Sequence, residues 1–302
     1  MDKRSTKGTL ILLIAAFVWG CAFVAQSEGG NAVGAFAYNA TRNFLGAAVL
    51  VPVFLGLDAL RRRKGTPAPQ GNAKTLWIGG VLCGTALFVA SSLQQIGINM
   101  GTDVGKAGFI TALYILIVPI LGLFMRRRVS WRLWLCVAVA VIGLYLLCMN
   151  GDSLVPETGD LLLLACSAVF SVHILLADHF APQVDGVRLS AIQFLTCGVL
   201  SLIAAVMAGE IPTADALKAA WLPIVYAGVV SSGVGYTLQI IGQQYASPTL
   251  GSMAMSLESV FAVLAGAVLL GQIPSPREFV GCALMFAAII AAQLSSRKKA
   301  SL

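Results

Sequence analysis

Long apolar runs, separated by short polar or charged segments, follow one another along the chain. Five of these runs carry no charge, at 8–27, 75–102, 107–125, 133–151 and 189–209. About 20 consecutive apolar residues are enough for a helix to cross the hydrocarbon core of a bilayer. Each of the five runs therefore predicts one membrane-spanning helix.

Two further runs contain a single ionisable side chain. Residues 35–57 include Arg42, and residues 161–177 include His173. One polar group does not interrupt the apolar pattern, and a polar group inside a span usually faces the protein interior. Both runs are therefore also predicted to span the membrane.

The run 219–257 is too long for one span. Pro248 cannot continue the preceding helix, and with its turn-like neighbours at 245–252 it divides the run into two. The second part extends to Pro276, and residues 279–296 form one more span. The pattern as a whole predicts an all-α membrane protein with ten transmembrane helices.

The composition excludes a water-soluble domain, because 58% of the 302 residues are hydrophobic and only 11% are charged. The first run follows Lys3, Arg4 and Lys7, as the apolar region of a signal peptide would. It is too long for such a region, and no A-x-A cleavage pattern precedes a soluble domain. We expect it to be retained as the first helix.

The positive charges lie mostly on one side of the predicted topology. Of the 20 lysines and arginines, sixteen fall in the termini and loops of one side, three on the other side, and Arg42 within the second span. Positively charged loops stay cytoplasmic, so both termini are predicted to be cytoplasmic in a multi-pass protein of the cell membrane. The net charge of +7 then belongs to a membrane-facing rim, and nucleic acid is not an expected partner.

The second half of the chain repeats the first. LQQIG at 93–97 returns as LQIIG at 238–242, and GTLILLIAAFVWG at 8–20 aligns with GDLLLLACSAVFS at 159–171. Because each half has an odd number of spans, the second enters the membrane in the opposite orientation, which is the inverted repeat of many secondary transporters. Residues 150–160 form the predicted joint between the two inverted five-helix repeats.

The repeated glutamines lie at opposite ends of the predicted pathway. Gln94 and Gln95 are near the outer end of the third span, and Gln239 and Gln243 are near the inner end of the eighth. One hypothesis is that they belong to the outer and inner gates of an alternating-access carrier. The other is that each amide caps a helix end or bonds to neighbouring backbone.

Three segments resemble the EamA-type branch of the drug/metabolite transporter superfamily. They are the AAFVWG ending of the first helix, the fourth helix GKAGFITALYILIVPILG and the ninth helix SLESVFAVLAGAVLLGQ. The resemblance implies two EamA-type five-helix repeats, residues 1–150 and 151–302. Members of the family often have proline after the ninth-helix glutamate, where this chain has Ser259, and this difference predicts a straighter ninth helix.

The same resemblance implies a function. It indicates a secondary transporter that moves a small metabolite, amino-acid-like or drug-like, by alternating access, with export as the expected direction and proton coupling as an option. It implies no cofactor. The expected surroundings are the lipid bilayer, and the expected state is a monomer or a homodimer.

Two ionisable residues are the first candidates for the substrate site. Glu258 lies near the middle of the ninth span, where a carboxyl is expected to be protonated unless paired, and is a candidate for proton coupling or for binding a cationic group. Arg42 lies about two turns inside the second span, where it can bind a carboxylate or phosphate; snorkelling to the interface is the alternative. Together they suit a zwitterion such as an amino acid.

The fourth helix adds Thr111 and Tyr114, and Tyr114 aligns within one position of Glu258 in the other half. Pro119 removes a backbone hydrogen bond and leaves carbonyls free beside this tyrosine. His173 is either a proton shuttle or a satisfied packing residue. The remaining candidates for the substrate-binding surface are Trp19, Gln94, Gln95, Tyr236 and Gln239.

A membrane enzyme is the alternative to a transporter. The stretch HILLAD at 173–178 fits the H-x-x-x-x-D pattern of glycerolipid acyltransferases, in which the aspartate orients the histidine as a general base. On a helix, however, a spacing of five turns the two side chains about 140° apart. No glycine-rich or basic substrate block accompanies His173 and Asp178 in the sequence.

Overall fold

A computed structural model describes residues 3–65, 71–102, 104–127, 129–149, 157–270 and 274–299. Within these ranges the regular secondary structure is entirely helical. Residues 150–156 of the predicted joint and Arg128 of a basic block lie outside the described residues.

Fifteen α-helices follow one another in the described part of the chain. They are α1 Lys3–Gly20, α2 Ala22–Val33, α3 Ala35–Arg63, α4 Ala73–Asn99, α5 Val104–Ala112, α6 Tyr114–Phe124, α7 Trp131–Cys148, α8 Thr158–Phe180, α9 Gly186–Ala208, α10 Ala214–Ala219, α11 Trp221–Val225, α12 Thr237–Gln243, α13 Pro248–Met255, α14 Glu258–Leu270 and α15 Pro276–Lys299. A 3₁₀ turn, Ala181–Gln183, follows α8, and a π-helix, Tyr226–Tyr236, joins α11 to α12.

Eight helical segments in the described residues are long and apolar enough to cross a membrane. They coincide with eight of the predicted spans. The predicted first and ninth spans correspond to two shorter apolar helices, Ser5–Gly20 and Pro248–Leu264. The first span is interrupted at Cys21, where α1 ends and α2 begins.

The fourth and ninth predicted spans are broken at corresponding places. α5 and α6 meet at Leu113, and α13 and α14 meet at Ser256 and Leu257. At each break a backbone N–H bonds to the carbonyl three residues earlier, Leu113 N to Ile110 O at 3.2 Å and Leu257 N to Ala254 O at 3.4 Å. The same local tightening of the helix therefore occurs once in each half of the chain.

Serine side chains contribute to the break in the ninth span. The hydroxyl of Ser252 donates to the carbonyl of Thr249 at 3.0 Å, and that of Ser256 donates to the carbonyl of Met253 at 2.9 Å. Such bonds compete with the main-chain ladder and bend helices. The ninth span is broken although residue 259 is not proline, so the expectation of a straighter ninth helix is wrong.

Glycines allow close helix contacts in both halves. A Cβ on Gly97 of α4 would lie 3.1 Å from the carbonyl oxygen of Gly159 in α8. A Cβ on Gly242 of α12 would lie 3.2 Å from the carbonyl oxygen of Gly8 in α1. Small residues are the usual means of close approach between helices in lipid. Here they pack the third span of each half, α4 or α12, against the first span of the other half, α8 or α1.

The helices α3 and α9 are antiparallel neighbours held at both ends by polar contacts. At the end of α3 and the start of α9, Arg61 lies 3.1 Å from Asp185. At the other end, a carboxylate oxygen of Glu210 accepts a hydrogen bond from the backbone N–H of Phe36 at 2.7 Å. The Glu210 carboxylate thus stabilises the N-terminus of α3, where backbone N–H groups have no partner within the helix.

Candidate functional site

A cavity with an empty volume of about 520 Å³, its open side included, lies among the helices at the level of the two helix breaks. Residues from both halves of the chain form its wall. The lining residues are Trp19, Ala22, Gln26, Arg42, Gln94, Thr111, Tyr114, Phe170, Ile174, Ser231, Tyr236, Gln239, Met255 and Glu258.

The carboxyl group in the cavity wall is placed there by a helix break. Glu258 is the first residue of α14, and α1 packs directly behind it, since a Cβ on Gly20 would lie 2.6 Å from the carbonyl oxygen of Glu258. The hydroxyl of Tyr114, the first residue of α6, donates to Oε1 of Glu258 at 3.1 Å. The side chains that follow the two breaks therefore meet in the cavity.

The cavity also contains a guanidinium group. Arg42 is only 3% exposed, and its guanidinium carbon lies 5.5 Å from the centre of the Tyr38 ring. Its Nε is buried and has no hydrogen-bond partner among the described residues. Arg42 thus lies in the cavity wall and does not snorkel to the interface.

Two aromatic rings form one side of the cavity. The centres of the Trp19 and Tyr236 rings are 4.7 Å apart, and the indole N–H of Trp19 donates to the carbonyl of Ser231 at 3.3 Å. The approach requires a glycine, because a Cβ on Gly235 would lie 2.6 Å from the indole nitrogen. Ser231 and Gly235 belong to the π-helix, a form often found at functional sites.

Hydrogen-bonded polar side chains form another part of the wall. Gln26 donates from Nε2 to Oε1 of Gln94 at 3.0 Å, and Gln94 donates from Nε2 to the hydroxyl of Thr111 at 3.3 Å. This network joins α2, α4 and α5. Of the cavity-lining residues that the second half contributes, Gln239 carries an amide, and Ile174 and Met255 cannot make such bonds.

Eight of the ten residues predicted for the substrate site line this one cavity. Gln95 and His173 do not. The eight are Trp19, Arg42, Gln94, Thr111, Tyr114, Tyr236, Gln239 and Glu258.

Gln95 and Gln243 both bond to backbone. Gln95 Nε2 donates to the carbonyl of Gln26, and Gln243 Nε2 donates to the carbonyl of Ile174, each at 3.0 Å and across 69 residues. Each bond joins the third span of a half, α4 or α12, to the first span of the same half, which contains α2 or is α8. For these two glutamines the structure agrees with the second hypothesis, that the amide satisfies neighbouring backbone, whereas Gln94 and Gln239 face the cavity.

His173 lies behind the aromatic wall. Its Nε2 is 3.1 Å from Oε1 of Gln193, and its ring meets that of Tyr236 edge-on at 6.2 Å between centres. Asp178, the other residue of the acyltransferase pattern, pairs instead with Arg127 at 2.6 Å. The histidine and the aspartate therefore have different partners, and neither lines the cavity.

Sequence reasoning missed several lining residues. Gln26 is the only amide side chain of the first apolar run, and the cost of burying it was the same signal that marked Gln94. The others carry no signal of their own, because apolar and small residues are common in every span. They are Ala22, Phe170, Ile174, Ser231 and Met255.

Comparison with known proteins assigns the family. The model of the EamA-like transporter family matches residues 6–149 and, a second time, residues 157–292. The chain belongs to the EamA-like transporter family. The resemblance in the first, fourth and ninth helices is thereby confirmed. This EamA-family protein is a multi-pass membrane transporter and not an enzyme.

Named relatives of this EamA-family chain include exporters. The threonine/homoserine exporter RhtA of Escherichia coli (strain K12) is 28% identical over 97% of this chain and 93% of its own length. A probable terminal-alkyne amino-acid exporter of Streptantibioticus cattleyicolor is 25% identical over 95% of this chain and 93% of its own. An uncharacterized transporter of Archaeoglobus fulgidus is 26% identical over 94% and 84%.

A solved structure has the same fold as this EamA-family chain. A protein crystal structure aligns with a TM-score of 0.75 at 22% sequence identity, over 97% of this chain and 98% of the other. The likeness therefore extends over the complete helical arrangement.

Proposed function

We propose that this EamA-family protein exports a small zwitterionic metabolite of the amino-acid class. The observation that carries the proposal is that Arg42 and Glu258 line one cavity, while neither belongs to an ion pair among the described residues. A buried charge without a counter-ion is costly. A zwitterion supplies both counter-charges in one molecule.

Each end of a zwitterion finds a matching group in the cavity. The guanidinium of Arg42 can hold a carboxylate by two parallel hydrogen bonds, and its buried Nε has no other partner among the described residues. Glu258 uses Oε1 to accept from Tyr114, and its remaining lone pairs can accept from an ammonium group. Trp19 and Tyr236 then pack against the body of the ligand.

The exporters among the relatives support this substrate class. The name of RhtA specifies threonine and homoserine, and that of the Streptantibioticus relative specifies an amino acid. The cavity offers a short side chain both polar partners, in Gln94 and Thr111, and apolar ones, in Ile174 and Met255. L-threonine, with one hydroxyl and one methyl group, is the ligand to test first.

The proposed architecture is ten transmembrane helices in two inverted repeats, residues 1–150 and 151–302. Support comes from the two separate family matches, and from the contacts at Gly97 and Gly242, in which the third helix of each half packs on the first helix of the other. An inverted pair of halves is the usual basis of alternating access around a central site.

The proposed orientation puts both termini in the cytoplasm of a cell-membrane protein. The ion pairs at helix ends fit this topology. Lys106 and Asp160, 2.6 Å apart, both fall at predicted outer ends, and Arg127 and Asp178 both fall at predicted inner ends. Glu258 is the candidate for proton coupling, because its carboxyl is buried in the cavity that the substrate enters.

The experiment that tests the substrate class compares three ligands of one shape. Purified protein in proteoliposomes is given L-threonine, 1-amino-2-propanol, which lacks the carboxylate, or 3-hydroxybutyrate, which lacks the ammonium. Thermal stabilisation is measured in parallel, because a ligand at about 100 times its Kd stabilises the folded state by roughly 2.7 kcal/mol. We expect saturable flux and stabilisation with threonine alone.

The two half-ligands serve as the internal control. Stabilisation by the amine equal to that by threonine would indicate a carrier of organic cations, and stabilisation by the hydroxyacid alone would indicate a carrier of anions. Either result would contradict a zwitterion site. Testing other amino acids of similar size in the same assay would then separate a wrong side chain from a wrong substrate class.

A further inference from the structure

Tyr114 and Glu258 occupy corresponding positions in the two halves of the chain. They are 144 residues apart, and each is the first residue after a helix break. The hydrogen bonds around the breaks also correspond, since Ile117 N bonds to Leu113 O at 3.2 Å in one half and Phe261 N bonds to Leu257 O at 2.9 Å in the other. The backbone therefore puts Tyr114 in register with Glu258, and the sequence repeat aligns the two within one position.

These two corresponding residues are bonded to each other. The hydroxyl of Tyr114 lies 3.1 Å from Oε1 of Glu258, and the two side chains are buried, at 5% and 6% exposure. The bond joins α6 of the first half to α14 of the second at the point where each broken helix resumes. It thus crosses between the halves at the place where they are related by symmetry.

A contact of this kind has a special property in an inverted-repeat carrier. Alternating access moves one half against the other around a fixed site, and the outward-open and inward-open states differ by an exchange of conformations between the halves. When the two halves exchange conformations, each position takes over the surroundings of its counterpart in the other half. The distance between two positions that are not counterparts therefore becomes, in the other state, the distance between their two counterparts. Two positions that are counterparts of each other only exchange places, so the distance between them is the same in both states.

We propose that the Tyr114–Glu258 hydrogen bond persists in both the outward-open and the inward-open state. Tyr114 is then a positioning residue, which holds Oε1 of Glu258 and leaves Oε2 directed to the ligand whichever side is open. The role of Glu258 in ligand binding rests on the proposed function. The persistence of the bond rests on the equivalence of the two positions.

If the bond is present in both states, its removal affects both states equally. A bond present equally in two states does not bias the equilibrium between them. Removing the tyrosine hydroxyl should therefore leave the ratio of outward-open to inward-open protein unchanged, and it should weaken ligand binding from both sides by the same factor. A residue that only closes one side would change the ratio.

Gln26 provides the matched control. It bonds to Gln94 in the first half, whereas Ala177, which the alignment of 8–20 with 159–171 puts in its place, has no amide and cannot make the bond in the second half. The network containing Gln26 is thus present at one end of the pathway only. Gln26→Leu should shift the ratio of the two states by about three- to tenfold, as expected for the loss of one buried hydrogen bond.

The experiment uses Tyr114→Phe and Gln26→Leu in proteoliposomes. The ratio of states is read without any ligand, from thiol labelling of single cysteines placed at the two ends of the pathway in a background free of the native cysteines. The KM for L-threonine is read separately in right-side-out and inside-out vesicles. For Tyr114→Phe we expect an unchanged ratio and a KM raised about tenfold on each side, since a hydrogen bond to a charged group is lost.

A shifted ratio in Tyr114→Phe, or a KM raised on one side only, would overturn the proposal. Glu258→Gln, which keeps an oxygen acceptor for the tyrosine, gives a second reading of the ratio if Tyr114→Phe folds poorly, and it too should leave the ratio unchanged. Absence of threonine transport by the unmodified protein would contradict the proposed function alone, because the labelling ratio is measured without ligand.

Discussion

Replacing Arg42 with glutamine should stabilise the ligand-free protein and weaken ligand binding. The guanidinium is 3% exposed and pairs with no carboxylate among the described residues, so its burial is a cost that folding must offset. Within the described part of the chain, its guanidinium makes a favourable contact with the Tyr38 ring at 5.5 Å. A residue kept for structure would show the opposite effect on stability.

The expected gain in the free energy of unfolding of Arg42→Gln follows from two opposing contributions. Burying an uncompensated charge costs several kcal/mol even after relaxation, about 2–5 kcal/mol here. The cation–π contact between Arg42 and Tyr38 stabilises the folded protein by about 1–2 kcal/mol. The net gain in stability on removing the charge is about 0–4 kcal/mol, and at its middle value of about 2 kcal/mol Tm rises by about 4 °C for a protein of this size.

The effect on binding depends on the ligand. A carboxylate loses a charge-assisted bidentate partner when Arg42 is replaced, which is worth about 1.5–3 kcal/mol, or about 10- to 150-fold in affinity. The amine 1-amino-2-propanol has no carboxylate, so its weak binding should not change. The selective loss of threonine binding is the signature of a direct contact.

The assay combines thermal unfolding in detergent with titration calorimetry on the same samples. Arg132→Gln is the control, because Arg132 is exposed and stacks near Trp131 at 5.9 Å outside the cavity, and it should change neither quantity. A lower Tm for Arg42→Gln, or equal losses of affinity for threonine and for the amine, would refute the reasoning.

Three further outcomes are expected. Glu258→Gln should fold normally. If protons are exchanged, the variant should lose the pH dependence of flux, and if the carboxylate binds a cationic group, it should lose ligand affinity at every pH. Unaltered flux and affinity would show that Glu258 is a packing residue. Gly281→Ala should lower Tm, because the added Cβ would lie 2.6 Å from the carbonyl oxygen of Gly143, and this overpacking should destabilise the protein by about 1–3 kcal/mol. Gly56→Ala is the control, because its Cβ would have nothing within 4 Å, and it should raise Tm. A reporter fused after Leu302 should be active in the cytoplasm only, and activity outside would reverse the topology.

Much of the site was accessible from the sequence because charge inside an apolar run is a local signal. Arg42 and Glu258 are conspicuous in segments long enough to span a bilayer, and a charge at that depth is expensive wherever the helices pack. The repeat in the sequence also aligned Tyr114 within one position of Glu258. These inferences need only the order of residues along the chain.

Only the tertiary structure decided which neighbours face the cavity. Gln94 and Gln95 are adjacent and chemically identical, yet the first bonds to Gln26 and Thr111 across the cavity wall and the second bonds to main chain. Side chains one position apart on a helix point about 100° apart, so a small rotation of α4 exchanges their roles. That rotation is set by packing against α8 and α9, which no local pattern reports.

The bond between Tyr114 and Glu258 was beyond the sequence for a related reason. Its partners are 144 residues apart, and they meet only because two helices break one residue before them. The sequence aligned the two residues within one position of each other in a repeat, and a repeat alone does not bring aligned residues together. Their contact depends on how closely the two halves approach, which is fixed by glycine and side-chain packing throughout the bundle.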